Sequence, residues 1–174
     1  NKNVGTGKTV TVDSITLADG NNGGLASNYS ITPGQTTTAN ITAKSLIISG
    51  IIAASKTYNG STSATLDTSA ILYSGLIPGD IFDGSYTGAF SNANVGTAKT
   101  VTITSSYTGA DVSNYSITNQ TSTNADISAK ALTATASASN KTYNATNSAS
   151  VTLTLSGLIG SETLGQTVGS TFDN

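Results

Sequence analysis

Apolar and polar residues alternate in short runs along this chain. Val10 and Val12 alternate with Thr9 and Thr11 in Lys8-Thr9-Val10-Thr11-Val12, and Val101 and Ile103 do the same in Lys99-Thr100-Val101-Thr102-Ile103. Ala39 and Ile41 alternate with Asn40 and Thr42, Ala125 and Ile127 with Asp126 and Ser128, and Val151, Leu153 and Leu155 with Thr152 and Thr154. A period of two puts alternate side chains on opposite faces of a strand, so Val10 and Val12 are expected to face a core while Thr9 and Thr11 face water. By the same rule Leu46, Ile48, Gly50 and Ile52 share one face, as do Leu132, Ala134, Ala136 and Ala138. Threonine suits the outer face, because β-branching fits the pleat. No long stretch carries a helical period; Leu76-Ile77-Pro78-Gly79-Asp80 reads as one short helical turn. Turns are expected at Asp19-Gly20-Asn21-Asn22-Gly23-Gly24, Asn59-Gly60, Pro78-Gly79 and Asp83-Gly84.

These runs recur in a fixed order. Asn3-Val4-Gly5-Thr6 returns as Asn94-Val95-Gly96-Thr97, Asn28-Tyr29-Ser30-Ile31-Thr32 as Asn114-Tyr115-Ser116-Ile117-Thr118, and Ala39 through Lys44 as Ala125 through Lys130. Lys56-Thr57-Tyr58-Asn59 returns as Lys141-Thr142-Tyr143-Asn144. The offset drifts from 91 residues (3 to 94) through 86 (28 to 114) to 85 (56 to 141). Constant order with a drifting offset is the mark of tandem duplication with small loop insertions, and a period this long is a small domain. The fold expected is all-β: tandem β-sandwich or β-grasp-like modules in an elongated array. Two frames fit. In one the modules are 1–90 and 91–174. In the other, Lys44 and Lys130 mark junctions, and the chain holds a half unit (1–43), a full unit (44–130) and a half unit (131–174), joined by short linkers such as Thr42-Ala43-Lys44-Ser45. Joined tail to head, Asn174 and Asn1 would continue the array.

Composition narrows the chemistry. Charged residues are 9% of the chain, net charge is −2, and Thr, Ser and Asn together make up about 40%. Low charge and β-branched alternation argue for folded structure over disorder. Without His or Cys the usual general base and the best nucleophile are missing, so an enzyme is not expected and no catalytic residue is assigned. The basic residues are seven scattered lysines, which make no nucleic-acid patch. No apolar run reaches membrane-spanning length, so no membrane insertion is expected. No cofactor is called for.

A few residues are worth weighing individually. Calcium needs clustered oxygen ligands, and the weak candidates are Asp19 and Asn21 in the first glycine-rich loop and Asp80 with Asp83 around a turn. Each reads first as a turn or cap residue. Tyr29 and Tyr115, and Tyr58 and Tyr143, occupy equivalent positions, which points to roles in the core. Tyr73, Tyr86 and Tyr107 are the candidates for exposed contacts with a sugar. Lys8, Lys99, Lys44 and Lys130 sit at strand edges, where lysine discourages edge pairing; a Lys–Asn crosslink is the sharper alternative.

Lys56-Thr57-Tyr58-Asn59-Gly60, Phe90 through Lys99, Gly109 through Tyr115 and Ala125 through Lys130 together resemble the YDG and MBG repeat domains of large bacterial surface adhesins and filamentous-haemagglutinin-like exoproteins. The family's Tyr-Asp-Gly stands here as Tyr58-Asn59-Gly60 and then as Tyr143-Asn144-Ala145. The resemblance implies a secreted or cell-surface repeat of a stalk or filament. Such a repeat acts as a spacer in adhesion or self-assembly and carries no catalytic residues. Its partners would be adjacent repeats of the same chain or identical subunits head to tail, with lateral self-association through exposed strand edges. The rival reading is a carbohydrate- or host-surface-binding module, with or without dependence on calcium.

Overall fold

A computed structural model describes residues 1–173; Asn174, and with it the expected join to Asn1, lies outside the described residues. The chain is all-β. The strands in chain order are β1 (Gly5–Thr11), β2 (Thr36–Ile41), β3 (Lys44–Ser49), β4 (Ile52–Ala53), β5 (Lys56–Thr57), β6 (Ser63–Ala64), β7 (Leu66–Asp67), β8 (Leu72–Ser74), β9 (Asp83–Phe90), β10 (Gly96–Thr108), β11 (Tyr115–Thr118), β12 (Ser122–Ser128), β13 (Thr133–Ala138) and β14 (Val151–Ser156). Among the described residues the only helical pieces are two single 3₁₀ turns, Ala26–Asn28 and Val112–Asn114. Two compact units form: residues 1–50, 71–85 and 105–120 in one, and 51–70, 86–104 and 121–173 in the other. Strands β9 and β10 contribute residues to both.

In the first unit β1 and β2 make an antiparallel hairpin, and β3 lies between β11, parallel to it, and β8, antiparallel. Leu46, Ile48 and Tyr115 are buried here. In the second unit the main sheet runs in the order β5-β12-β10-β9-β6, while β4 pairs with β7 and β13 with β14. Its core is Ala53, Phe90, Val101, Ala125 and Ile127, with Tyr58, Ala64 and Leu66 packed against it.

The duplication holds at the level of backbone register. In β1–β2, Gly5 faces Ile41 and Lys8 faces Ala39, with a one-residue bulge between Gly5 and Lys8. In β10–β12, Gly96 faces Ile127 and Lys99 faces Ala125, with the same bulge. The bulged residue is left-handed in both copies, Gly7 at φ 59° and Ala98 at φ 47°. A side chain from the equivalent position holds it each time. The Gly7 N–H donates to Asn40 Oδ1 at 2.8 Å, and the Ala98 N–H donates to Asp126 Oδ1 at 2.7 Å. A second pairing also repeats. In β3–β8, Ile47 faces Ser74, and in β13–β14, Thr133 faces Ser156.

Several expectations change. Val10 and Val12 do not face a core: Val10 is 44% exposed, whereas its equivalent Val101 is 0% exposed. Strand β1 has only β2 beside it and no covering layer among the described residues, while β10 lies between β9 and β12 over the Phe90 cluster. The face shared by Leu46 and Ile48 ends at Gly50, whose φ of 87° shifts the alternation. Beyond it Ile51 and Ala53 are buried and Ile52 is exposed. Leu76–Asp80 is a β-turn and not a helical turn. The Asp80 N–H closes on the Ile77 carbonyl at 3.1 Å, with Pro78 and then Gly79 at φ 93° at its centre, the sequence a type II turn demands. Asp83-Gly84 opens β9 and is no turn, and Lys44-Ser45 belongs to β3, leaving Thr42-Ala43 alone between β2 and β3.

Val101→Ala is expected to lower the unfolding free energy by about 2 kcal/mol. Val10→Ala should change it by less than about 0.5 kcal/mol. Urea denaturation of both variants in dilute solution checks this, and equal losses would mean that the β1–β2 face is covered after all.

Candidate functional site

Three constellations bring chemistry-bearing side chains together, and the first is a lysine cage. Strand β5 points the Lys56 ammonium into the loop that follows. There it donates to the Ser61 carbonyl at 2.6 Å, the Ser63 carbonyl at 2.9 Å and Asn59 Oδ1 at 3.0 Å. The Phe90 ring lies 5.2 Å from the Nζ. Asn59 Oδ1 also accepts the Ser61 N–H at 3.1 Å and so tightens the turn. The second copy repeats the cage. Lys141 donates to the Thr146 carbonyl at 2.7 Å and the Ser148 carbonyl at 2.9 Å, with Phe172 at 5.4 Å. Asn144 Oδ1 accepts the Thr146 N–H at 3.2 Å. An amide oxygen therefore does what a carboxylate would do at this position. Ala145 keeps the loop in the left-handed conformation at φ 56°, where Gly60 has φ 73°. This cage was not singled out from sequence, although the repeated Lys-Thr-Tyr-Asn was its signal.

The second constellation is acidic. Tyr115 Oη donates to Asp80 Oδ2 at 2.6 Å and accepts the Ile77 N–H at 3.0 Å. Asp111 Oδ2 accepts the Ile81 N–H at 2.9 Å. Lys2 Nζ stands 3.5 Å from Asp80 and 3.7 Å from Asp111. A cavity of about 230 Å³ is lined by Lys2, Lys44, Ile77, Asp80, Asn114 and Tyr115. The acid brought beside Asp80 is thus Asp111, while Asp83 is exposed at the start of β9. Asp19 caps the 3₁₀ turn through the Ala26 N–H at 2.7 Å, and Asn21 lies in the loop closed by the Gly20 N–H to the Gly24 carbonyl at 2.8 Å. Among the described residues no group of three or more His, Cys, Asp or Glu is placed to hold a metal ion. Desolvation, and then the hydrogen bond to Asp80, hold the Tyr115 phenol above its ordinary value.

The third is an apolar cleft of about 510 Å³ in the second unit, whose lining includes Val95, Leu132, Leu158, Ile159, Glu162 and Leu164. Tyr58 donates to Glu162, and that hydrogen bond, with desolvation behind it, raises the Tyr58 phenol above its ordinary value.

The tyrosines divide in a way the repeat alone does not suggest. Tyr115 is buried and Tyr58 packs on the core, but their equivalents Tyr29 and Tyr143 are exposed. Tyr73 and Tyr107 are half-buried against Phe82, with ring centroids 5.6 and 5.2 Å away, so they are not the exposed sugar-stacking residues expected. The edge lysines make hydrogen bonds: Lys99 Nζ donates to Asn92 Oδ1 at 2.8 Å, and Lys8 Nζ to the Asn3 carbonyl at 2.7 Å.

Lys56→Met, which keeps the stem and removes the charge, is expected to cost about 1–3 kcal/mol in urea denaturation by leaving two carbonyls without their donor. Tyr115 also sets an alkaline limit. Its folded-state pKa is raised above the unfolded value near 10, so its contribution is complete below that pH and is lost as pH rises through the folded value. The urea midpoint should therefore hold up to about pH 10 as far as this phenol is concerned and fall above it. Tyr115→Phe should start lower and fall less, and an unchanged slope would assign the alkaline loss to other phenols.

The chain matches no curated protein and no solved structure. One family model does match, and it covers the caged Lys56, the Asp80–Tyr115 pair and most of the central strands: residues 42–124 match the YDG domain.

Proposed function

We propose that this chain is a stretch of tandem β-repeats from a bacterial extracellular adhesin stalk or surface filament, where it serves as a spacer in adhesion or self-assembly. The observation that carries the reading is the exact recurrence of backbone detail. The bulged hairpin, its Asn40 or Asp126 clamp, the β3–β8 register and the lysine cage each occur twice in one order. A binding or catalytic site gives no reason to copy bulges and cages; a module copied as a whole does. The frame that fits best takes 44–130 as the full unit, with 1–43 and 131–174 as halves, and the YDG match at 42–124 supports it. A surface rich in Thr, Ser and Asn with 9% charged residues stays soluble with little reliance on charge, which suits an extracellular location. Among the described residues no helix is long and apolar enough to cross a membrane.

The spacer role is tested by X-ray scattering from chains carrying two, four and six tandem units. The maximum dimension is expected to grow by the same increment per unit. Growth that flattens as the cube root of mass would mean a compact particle and would end the stalk reading.

A further inference from the structure

The two halves that flank the central unit are complementary, and the central unit shows how they fit. In it, β11 runs parallel to β3, with Tyr115 facing Lys44, Ser116 facing Ser45, Ile117 facing Leu46 and Thr118 facing Ile47. Tyr115 is 7% exposed and reaches Asp80. An offset of 86 residues (29 to 115, 44 to 130) carries the first member of each pair to Tyr29, Ser30, Ile31 and Thr32, and the second to Lys130, Ala131, Leu132 and Thr133. Tyr29–Thr32 and Lys130–Leu132 lie in no strand among the described residues, and Thr133 opens β13, paired with Ser156 as Ile47 is with Ser74. Tyr29 is 69% exposed.

The acid is conserved between the copies in kind and place. Gly75-Leu76-Ile77 recurs as Gly157-Leu158-Ile159 at an offset of 82 residues (75 to 157), which puts Glu162 where Asp80 stands. Both turns close alike, Asp80 N–H on Ile77 and Glu162 N–H on Ile159, each at 3.1 Å. Where Tyr115 is seated beside a cavity of about 230 Å³, the equivalent turn at Glu162 opens on the cleft of about 510 Å³, lined by Leu132, Leu158 and Ile159 together with Tyr58 and Val95.

We propose that this cleft is the docking site for Tyr29–Thr32 of a second copy of the chain, which adds as a strand parallel to Lys130–Thr133 so that copies join head to tail. The proposal rests on the tandem-repeat reading and names its joint. Ile31 of the incoming copy packs at Leu132, and the Tyr29 hydroxyl donates to Glu162, whose carboxylate has acceptor sites beyond the one Tyr58 uses. The same docking extends to a second seam. In the complete unit β12 lies parallel to β5, with Ile127 on Lys56, Ser128 on Thr57, and the Tyr58 N–H on the Ser128 carbonyl at 2.8 Å. The equivalents are Ile41 and Thr42 of the incoming copy against Lys141 and Thr142, with the Tyr143 N–H meeting Thr42. Ile41 is 38% exposed, against 1% for Ile127, and Tyr143 is 90% exposed. One docking event would cover all of these apolar residues, and strand addition supplies the backbone partners.

The chain has no cysteine, so a single thiol reports one position. Ser30→Cys and Ala131→Cys both place it at exposed positions whose equivalents, Ser116 and Ser45, face each other. An equimolar mixture of the two full-length variants under mild oxidation is expected to give a covalent heterodimer, well above the yield from Ser30→Cys mixed with Thr152→Cys. The double variant should give a ladder of oligomers. Adding Tyr29→Ala should weaken association about tenfold by sedimentation while leaving the circular dichroism spectrum unchanged. A heterodimer yield no higher than the control overturns the proposal. So does a double variant that closes only on itself, because it assigns the cleft to the chain's own segment. If tandem chains still lengthen evenly in scattering while crosslinking fails, the docking is wrong and the spacer reading stands.

Discussion

An alternating strand gains nothing from its apolar face until a second layer covers it. Everything distinctive here follows from that requirement. The sequence repeats the alternation faithfully, yet the same pattern is buried in β10 and β12 and open to water in β1 and β2. The hairpins themselves are equally well made, with the same register, the same bulge and a clamping side chain at the same position. Backbone pairing therefore sets the local geometry of each copy, and burial depends on what covers each face. Val10 and Ile41 remain 44% and 38% exposed, so covering the rest of each would add roughly 1 kcal/mol.

This division explains how much of the fold and site was legible in the sequence. Strands and hairpins could be read because period two and turn residues are local signals: Lys8 through Thr11, Lys99 through Ile103 and Val151 through Leu155 all form strands. Burial could not be read, because Val10 and Val101 sit in nearly the same ten residues and differ only in what lies above them. Gly50 defeated the face assignment through one left-handed residue, which moved the buried positions to Ile51 and Ala53. The acidic site was half legible. Asp80 stood out, but its neighbour in space is Asp111, which comes from a separate turn, and sequence proximity pointed to Asp83 instead. The match of Glu162 to Asp80 was hidden by the drift in offset, since the Gly-Leu-Ile turn repeats at 82 residues while the segments around it repeat at 85 and 86.

The lysines show how a chain with neither disulfides nor a large core fixes its loops. Three of them repeat one device, an ammonium that gathers oxygen atoms from a loop too short to satisfy them itself: Lys8 on Asn3, Lys56 on Ser61 and Ser63, and Lys141 on Thr146 and Ser148. An ammonium offers three donors in a compact head, which suits several acceptors converging from one turn. It also leaves nothing to oxidise, in keeping with a chain that has no Cys, Met or Trp. Because the acceptors are mostly neutral carbonyl and amide oxygens rather than carboxylates, these contacts do not rely on ion pairing. The Lys56 and Lys141 cages close over an aromatic ring, Phe90 in the first and Phe172 in the second. Phe90 is buried and Phe172 is not, so the cage forms without the core around it. Loops held in this way are ordered before any partner is met, and the entropy of fixing them need not be lost on association.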